Sequence, residues 1–293
     1  MRKLILTCVV LLAAVAAGAQ TKVAPKLVNG FKAVYTEEMT IEAGGSTLKV
    51  TEEEEYVVSN VTATGATITV TTSKVTSNAS DDENQLLLIP MKAMEGVSVK
   101  LGTSAEGEVK KVENIAEVKA AVKAKLVPLV DKFLSENSDM EGMVSKEMLM
   151  QQFEKSINEE TLLESVKSSG VLALNGKEVK NGASENFLKE GIKMKRMYFV
   201  MGKNVVVSSQ LDMTKDEIKA LIIKQVEEAA PEQAEVVKQN IDMVMGQMKF
   251  EATDKATYIL DGANGWVSSI KSEATSEILG QTSKQSAVVT LKK

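Results

Sequence analysis

Three early stretches alternate apolar and polar residues with period two. From Phe31 onward, Phe31, Ala33, Tyr35, Met39 and Ile41 share one face, and Lys32, Thr36, Glu38, Thr40 and Glu42 the other. That spacing predicts a half-buried strand. Gly44-Gly45 predicts a turn, and Leu48, Val50, Tyr56 and Val58 share a face of the next run. After Thr64-Gly65, Ala66, Ile68 and Val70 alternate with threonines. Three long one-faced strands joined by short glycine turns predict an antiparallel meander that curves over something. The four glutamates at 52–55 send two carboxylates to each face of the second strand. One pair can face the concave side, but we expect a solvated edge that discourages aggregation.

Past a polar break at 81–84, strands are expected over 86–91, 97–101 and 107–112. The period then changes. Ile115, Val118, Val122, Leu126, Leu129 and Phe133 recur every three or four residues, which predicts a helix to about Leu134. Asn114 stands three before Glu117, the spacing of a capping box, and Pro128 is expected to kink or end the helix. Further helices are expected over 145–156 and after Asn158. Asn175-Gly176 predicts a hairpin between 171–174 and 177–179, and residues 202–204 predict another between 197–201 and 205–209. Thr214 with Glu217 opens a helix carrying Ile218, Leu221, Ile222 and Val226 on one face. Pro231 restarts helix, with Ala234, Val237, Ile241, Val244 and Met248 in register. Strands close the chain over 248–260, 266–270 and 287–291.

The fold class that follows is α+β, a long curved antiparallel β-meander, half-barrel-like, packed against several amphipathic helices. Residues 20–293 read as a single domain, because no stretch has linker composition. Two β-then-α cycles allow a two-lobe organisation with a boundary near 180–190.

Residues 1–19 are read separately. Arg2 and Lys3 precede an uncharged run from Leu4 to Ala16, and Ala17-Gly18-Ala19 is a small-x-small cleavage site before Gln20. This reads as a signal peptide cleaved after Ala19, so the protein is expected to be exported, periplasmic or secreted, with no transmembrane segment after cleavage. Cys8 sits mid-run rather than after the small residues, which argues against a lipid anchor. The remaining chain has neither cysteine nor histidine.

Those absences exclude a Ser–His–Asp triad, a Cys–His dyad, a His-ligated metal and an internal disulfide. The formal charge of −5 argues against a nucleic-acid partner. No GxxxxGK[ST], GxGxxG or GxSxG motif is present, and no cofactor is expected. Past the first nineteen residues, Arg196 is the only arginine. It has the chemistry to bind one anionic headgroup, but a solvated strand end is the reading we favour.

Methionine is enriched, with 15 in the chain. They cluster at Met140, Met143, Met148 and Met150, at Met194, Met197 and Met201, and at Met243, Met245 and Met248. A thioether Cu(I) site is disfavoured because copper sites commonly recruit His or Cys as well. Core packing and a pliable apolar lining remain. The expected function is a non-enzymatic one, holding a hydrophobic small molecule, lipid or acyl chain between sheet and helices. The expected lining is Met148, Met150, Phe153, Met197, Phe199, Met245, Phe250, Tyr258 and Trp266. The alternative is an envelope protein-interaction or chaperone-like module with a Met-rich groove. An enzyme would require two inward carboxylates with raised pKa in one cleft.

Two segments carry a resemblance. The opening FKAVYTEEMTIEAGGSTLKVTEEEEYVVSNVTATGATITVTTSKV and the segment VSVKLGTSAEGEVKKVENIAEVKAAVKAKL resemble uncharacterised secreted proteins, domains of unknown function, of Bacteroidota. That resemblance implies no activity. The last hairpin, TYILDGANGWVSSIKSEAT, is similar to the meanders of periplasmic lipoprotein carriers and related lipid-binding half-barrels. It implies a curved sheet wrapping helices around a hydrophobic cavity.

Overall fold

The computed structural model describes residues 20–79, 82–137, 145–189, 192–229, 234–247, 250–278 and 281–292. The signal-peptide reading, Cys8, Met140, Met143, Met248 and Pro231 fall outside them, as does the side chain of Met243.

The first half runs β1 (Gln20–Lys22), β2 (Lys32–Ala43), β3 (Ser46–Ser59), β4 (Gly65–Ser77), α1 (Asp82–Met94), β5 (Ser98–Ser104) and β6 (Val109–Val112). Then come the helices α2 (Ile115–Glu136), α3 (Lys146–Ser156) and α4 (Glu159–Ser168). The second half runs β7 (Glu178–Lys180), β8 (Ser184–Lys189), β9 (Ile192–Met201), β10 (Asn204–Leu211), α5 (Lys215–Ala229), α6 (Ala234–Gln247), β11 (Glu251–Leu260), β12 (Val267–Ile278) and β13 (Gln281–Leu291). The fold is α+β.

Eleven strands form one antiparallel sheet in the order β6-β5-β4-β3-β2-β13-β12-β11-β10-β9-β8. The first and last long strands meet at its centre, where Tyr35 faces Leu291 and Met39 faces Ala287. The sheet is open, with edges β6 and β8. Yet Val109 of β6 and residues 185–188 of β8 line the same cleft. Helix α4 also touches both edge strands. Strands ten places apart can approach one another only if the sheet curls, as twisted long strands do. Helix α4 spans the gap.

The alternation places Ala33, Tyr35, Leu48, Val50, Tyr56, Val58, Ala66 and Ile68 in buried positions, as expected. Helix α2 buries Val118, Val122, Leu126, Val130 and Phe133. Pro128 does not end it, and its ring lies on the exposed side. A mid-helix proline costs about 3 kcal/mol. Each of five buried apolar side chains contributes about 1.5–3 kcal/mol, so packing wins.

Several expectations are corrected. The run 86–91 is not a strand but part of α1, which buries Leu88, Ile89 and Ala93. A short unbroken apolar run carries no period to choose between strand and helix. Asn114 precedes α2 without a side-chain cap. Its Oδ1 instead accepts from the Lys100 N–H (2.8 Å), and its Nδ2 donates to the Ser98 carbonyl (2.9 Å). Residues 171–174 form buried turns, not a hairpin strand. Strand β7 pairs instead with β1, Thr21 facing Val179. The hairpin at Gly202-Lys203 forms as expected, with Met201 facing Asn204. The Thr214 capping box also forms: Glu217 Oε2 accepts from the Thr214 N–H at 2.9 Å, and Thr214 Oγ1 from the Glu217 N–H at 3.3 Å. Strand β8 was not anticipated.

Candidate functional site

Alternation on each strand decides what the inner face of the sheet presents. On β9 the buried set is Met194, Arg196, Tyr198 and Val200. Across the register, Arg196 faces Glu185 on β8 and Ser209 on β10, and Tyr198 faces Val207. Farther along, Tyr258 faces Ile270 and Val205, and Val289 faces Glu37.

Arg196 is therefore not a solvated strand end. It is 3% exposed, and its guanidinium carbon lies 4.0 Å from the Phe187 ring centroid. Its Nη2 donates to the Ser168 carbonyl at the end of α4 (2.6 Å), and its Nη1 lies 3.7 Å from Glu185 Oε1. Lys177 Nζ donates to the same carboxylate at 2.7 Å, and the Tyr198 hydroxyl donates to it as well. Burial pushes the Glu185 carboxyl up. The hydrogen bonds from Lys177 and Tyr198 and the Arg196 charge outweigh it and hold the group below its usual range.

Three clefts surround the end of α4. A cleft of about 1020 Å³ lies between α4, the turns at 171–176 and β8. Its apolar wall comes from Val109, Leu163, Leu172, Ala173, Phe187 and Leu188. A second, of about 270 Å³, runs over the inner face and includes Arg196, Tyr258, Ile270 and Val289. A third, of about 260 Å³, includes Glu37, Glu54, Tyr56 and Leu162. Arg196 borders the first two.

The four-glutamate run is not an edge, because β3 lies between β2 and β4. Its outward members pair with cations, Glu53 with Lys292 (2.6 Å) and Glu55 with Lys32 (2.5 Å). Its inward members face β2: Glu52 opposes Glu37 and Glu54 opposes Tyr35. Tyr56 donates to Glu54 Oε2 at 2.7 Å. Burial, then the Glu54 charge, pushes the Glu37 carboxyl up to about 7. Burial, then Glu37 and Glu54, pushes Glu52 up to about 7. Burial also raises Glu54, against the Tyr56 hydrogen bond. Glu37 escaped the sequence reading, although its odd number places it on the apolar face of β2.

The expected lining residues scatter. Tyr258 lines the 270 Å³ cleft. Met197 and Phe199 lie on the outer face of β9, alternating with Tyr198, and Phe199 is 40% exposed. Met148 is exposed on α3, whereas Met150 and Phe153 pack against the main core. Met245 and Phe250 belong to a separate cluster with Ile218 and Ile241. Trp266 is buried, stacked on Phe31 at 4.9 Å. The methionines thus serve different surfaces rather than one lining. Lys177, Glu185 and Phe187 were not anticipated at the site, and Asn175 was read only as a turn residue. Their approach depends on contacts between distant segments.

Among the described residues, no group of three or more His, Cys, Asp or Glu side chains is placed to hold a metal ion, and no helix is long and apolar enough to cross a membrane. No family model matches the chain, and no curated protein matches it. Among solved structures, the chain is similar to lipovitellin, from a structure concerned with lipid–protein interactions. The identity is 10% and the TM-score 0.38, over 92% of this chain and 26% of that one. This chain therefore spans about a quarter of the length of that neighbour.

Proposed function

We propose that this chain is an exported, non-enzymatic protein that binds a hydrophobic ligand, a lipid or acyl chain, between its curled sheet and α4. The observation that carries the reading is the cleft of about 1020 Å³, in which Val109, Leu163, Leu172, Ala173, Phe187 and Leu188 form an apolar wall beside polar and charged side chains. Ligand clefts of about 300–1,000 Å³ with apolar walls and a few placed polar groups are the common form of small-molecule site. The location rests on the sequence of residues 1–19 and is tested by N-terminal sequencing of the exported form. Kinship with the secreted Bacteroidota proteins is likewise inferred from strand layout alone.

Native mass spectrometry of the chain from residue 20 tests the binding. A co-purifying lipid mass, and displacement of an uncharged apolar fluorophore by added lipid, are expected. A clean unliganded mass with no fluorophore binding overturns the proposal.

The inward glutamates favour a second reading, a carboxylate-based hydrolase, since Glu37 and Glu54 share the 260 Å³ cleft. Turnover of an ester or glycoside that is lost in Glu37→Gln and in Glu54→Gln would replace the binding proposal.

A further inference from the structure

We propose that the cleft between α4 and β8 takes an amphiphile with an uncharged, hydrogen-bond-accepting head, such as an acyl ester or amide, in preference to a free carboxylate. This rests on the lipid-binding reading above and names the class of ligand for the same site.

Two side chains bordering the cleft are almost wholly buried and carry an unmatched donor. Asn175 is 3% exposed, and its Nδ2 has no partner among the described residues. Arg196 is equally buried, and its Nε has none. A buried donor left unpaired costs about 1–3 kcal/mol, so an acceptor that enters recovers that energy. An acceptor oxygen beside an acyl chain meets both needs of the cleft: the chain lies along Phe187, Leu188 and Leu163 while the oxygen accepts.

The charge pattern decides the kind of acceptor. The cations on the cleft are Lys167, Lys177 and Arg196; the carboxylates are Glu108, Glu160, Glu164 and Glu185. Among the described lining residues, acidic groups outnumber basic ones. Both Lys177 and Arg196 already face Glu185. A carboxylate or phosphate head drawn to Lys177 or Arg196 would have to displace Glu185 and leave that anion without those partners, so that among the described residues only Lys167 meets it without displacement. A neutral carbonyl that meets an unmatched N–H group leaves the Lys177–Glu185–Arg196 cluster intact. A cationic head matches Glu164 Oε1, buried on the same cleft with no partner among the described residues, but offers nothing to the two donors.

Competition against an uncharged apolar fluorophore tests the assignment, using the chain from residue 20 with monoolein, oleate and an oleyl ammonium salt. Monoolein is expected to bind at least tenfold more tightly than the other two. Asn175→Ala is expected to weaken monoolein about tenfold more than it weakens the fluorophore. Oleate or the ammonium binding as tightly as monoolein overturns the neutral-head assignment but leaves lipid binding standing. Failure of the fluorophore and of all three amphiphiles to bind overturns both. If Asn175→Ala fails to fold, the ranking of the three heads on the unsubstituted protein decides alone.

Discussion

Glu37 and Glu52 face one another across β2 and β3 on the inner side of the sheet, with Glu54 beside them. Carboxyls raised to about 7 in the folded chain bind more protons than the unfolded chain does between their ordinary pKa, 4.5, and about 7. Stability therefore falls as pH rises through that window. Glu37→Gln is expected to raise the melting temperature at pH 8 and to leave it nearly unchanged at pH 4. The gain at pH 8 is on the order of 1–3 kcal/mol, since neutralising one partner also relieves the other. Equal melting at both pH values would contradict this. Arg196 behaves differently, because its charge holds a helix end to the sheet. Arg196→Met is expected to cost on the order of 3 kcal/mol in chemical denaturation, leaving the Ser168 carbonyl without its donor and Glu185 without one cation.

At the scale of elements, α4 is the piece that bridges the two sheet edges, and each of its ends is fastened. Asn158 Oδ1 accepts from the Thr161 N–H at 2.9 Å, and Glu159 Oε1 accepts from the Val112 N–H of edge strand β6 at 3.1 Å. The other end is held by Arg196. Asn158→Ala is expected to cost about 1 kcal/mol. Amide exchange at Val112 should quicken if the cap and the edge contact act together, and its staying slow would separate them. Gly176 is a second fastening point. Its φ is +76°, its N–H donates to the Val23 carbonyl at 2.7 Å, and an added Cβ would lie 2.5 Å from Glu108 Cβ. Gly176→Ala is expected to destabilise by on the order of 2 kcal/mol or more, measured by denaturant midpoint.

At the scale of the whole molecule, the sheet joins two meanders through β2 and β13, and its curl brings β6 and β8 to one cleft. A ligand held there binds only the folded chain. Saturation at a hundredfold its Kd should therefore add about 2.7 kcal/mol to unfolding, read as a shift in denaturant midpoint. A ligand that binds the exposed outer-face residues Phe199 and Met201 instead would protect the amides of β9 and leave those of α4 unprotected.

What was legible in the sequence follows from how local each signal is. The period-two faces of β2, β3 and β4 and the α2 seam from Val118 to Phe133 are properties of neighbouring residues, so alternation alone determined them. The Thr214 box and the turn at Gly202 are equally local. Parity even placed Glu52 and Glu54 on the apolar side of β3. It could not say that β3 is central rather than an edge, which turns a solvated charge run into a buried one. Residues 86–91 were misread because a short apolar run has no period, and the 171–179 segment because β7 takes its partner from residues 20–22. Lys177, Glu185, Phe187 and Arg196 lie on three separate segments and became a cluster only through β8–β9 pairing and the docking of α4. The sequence by itself determined which residues share a face, since side-chain direction is set by backbone geometry over a few residues. Only the tertiary structure decided which face closes on α4 and which polar groups lose water there, because those depend on pairings between residues far apart in the chain.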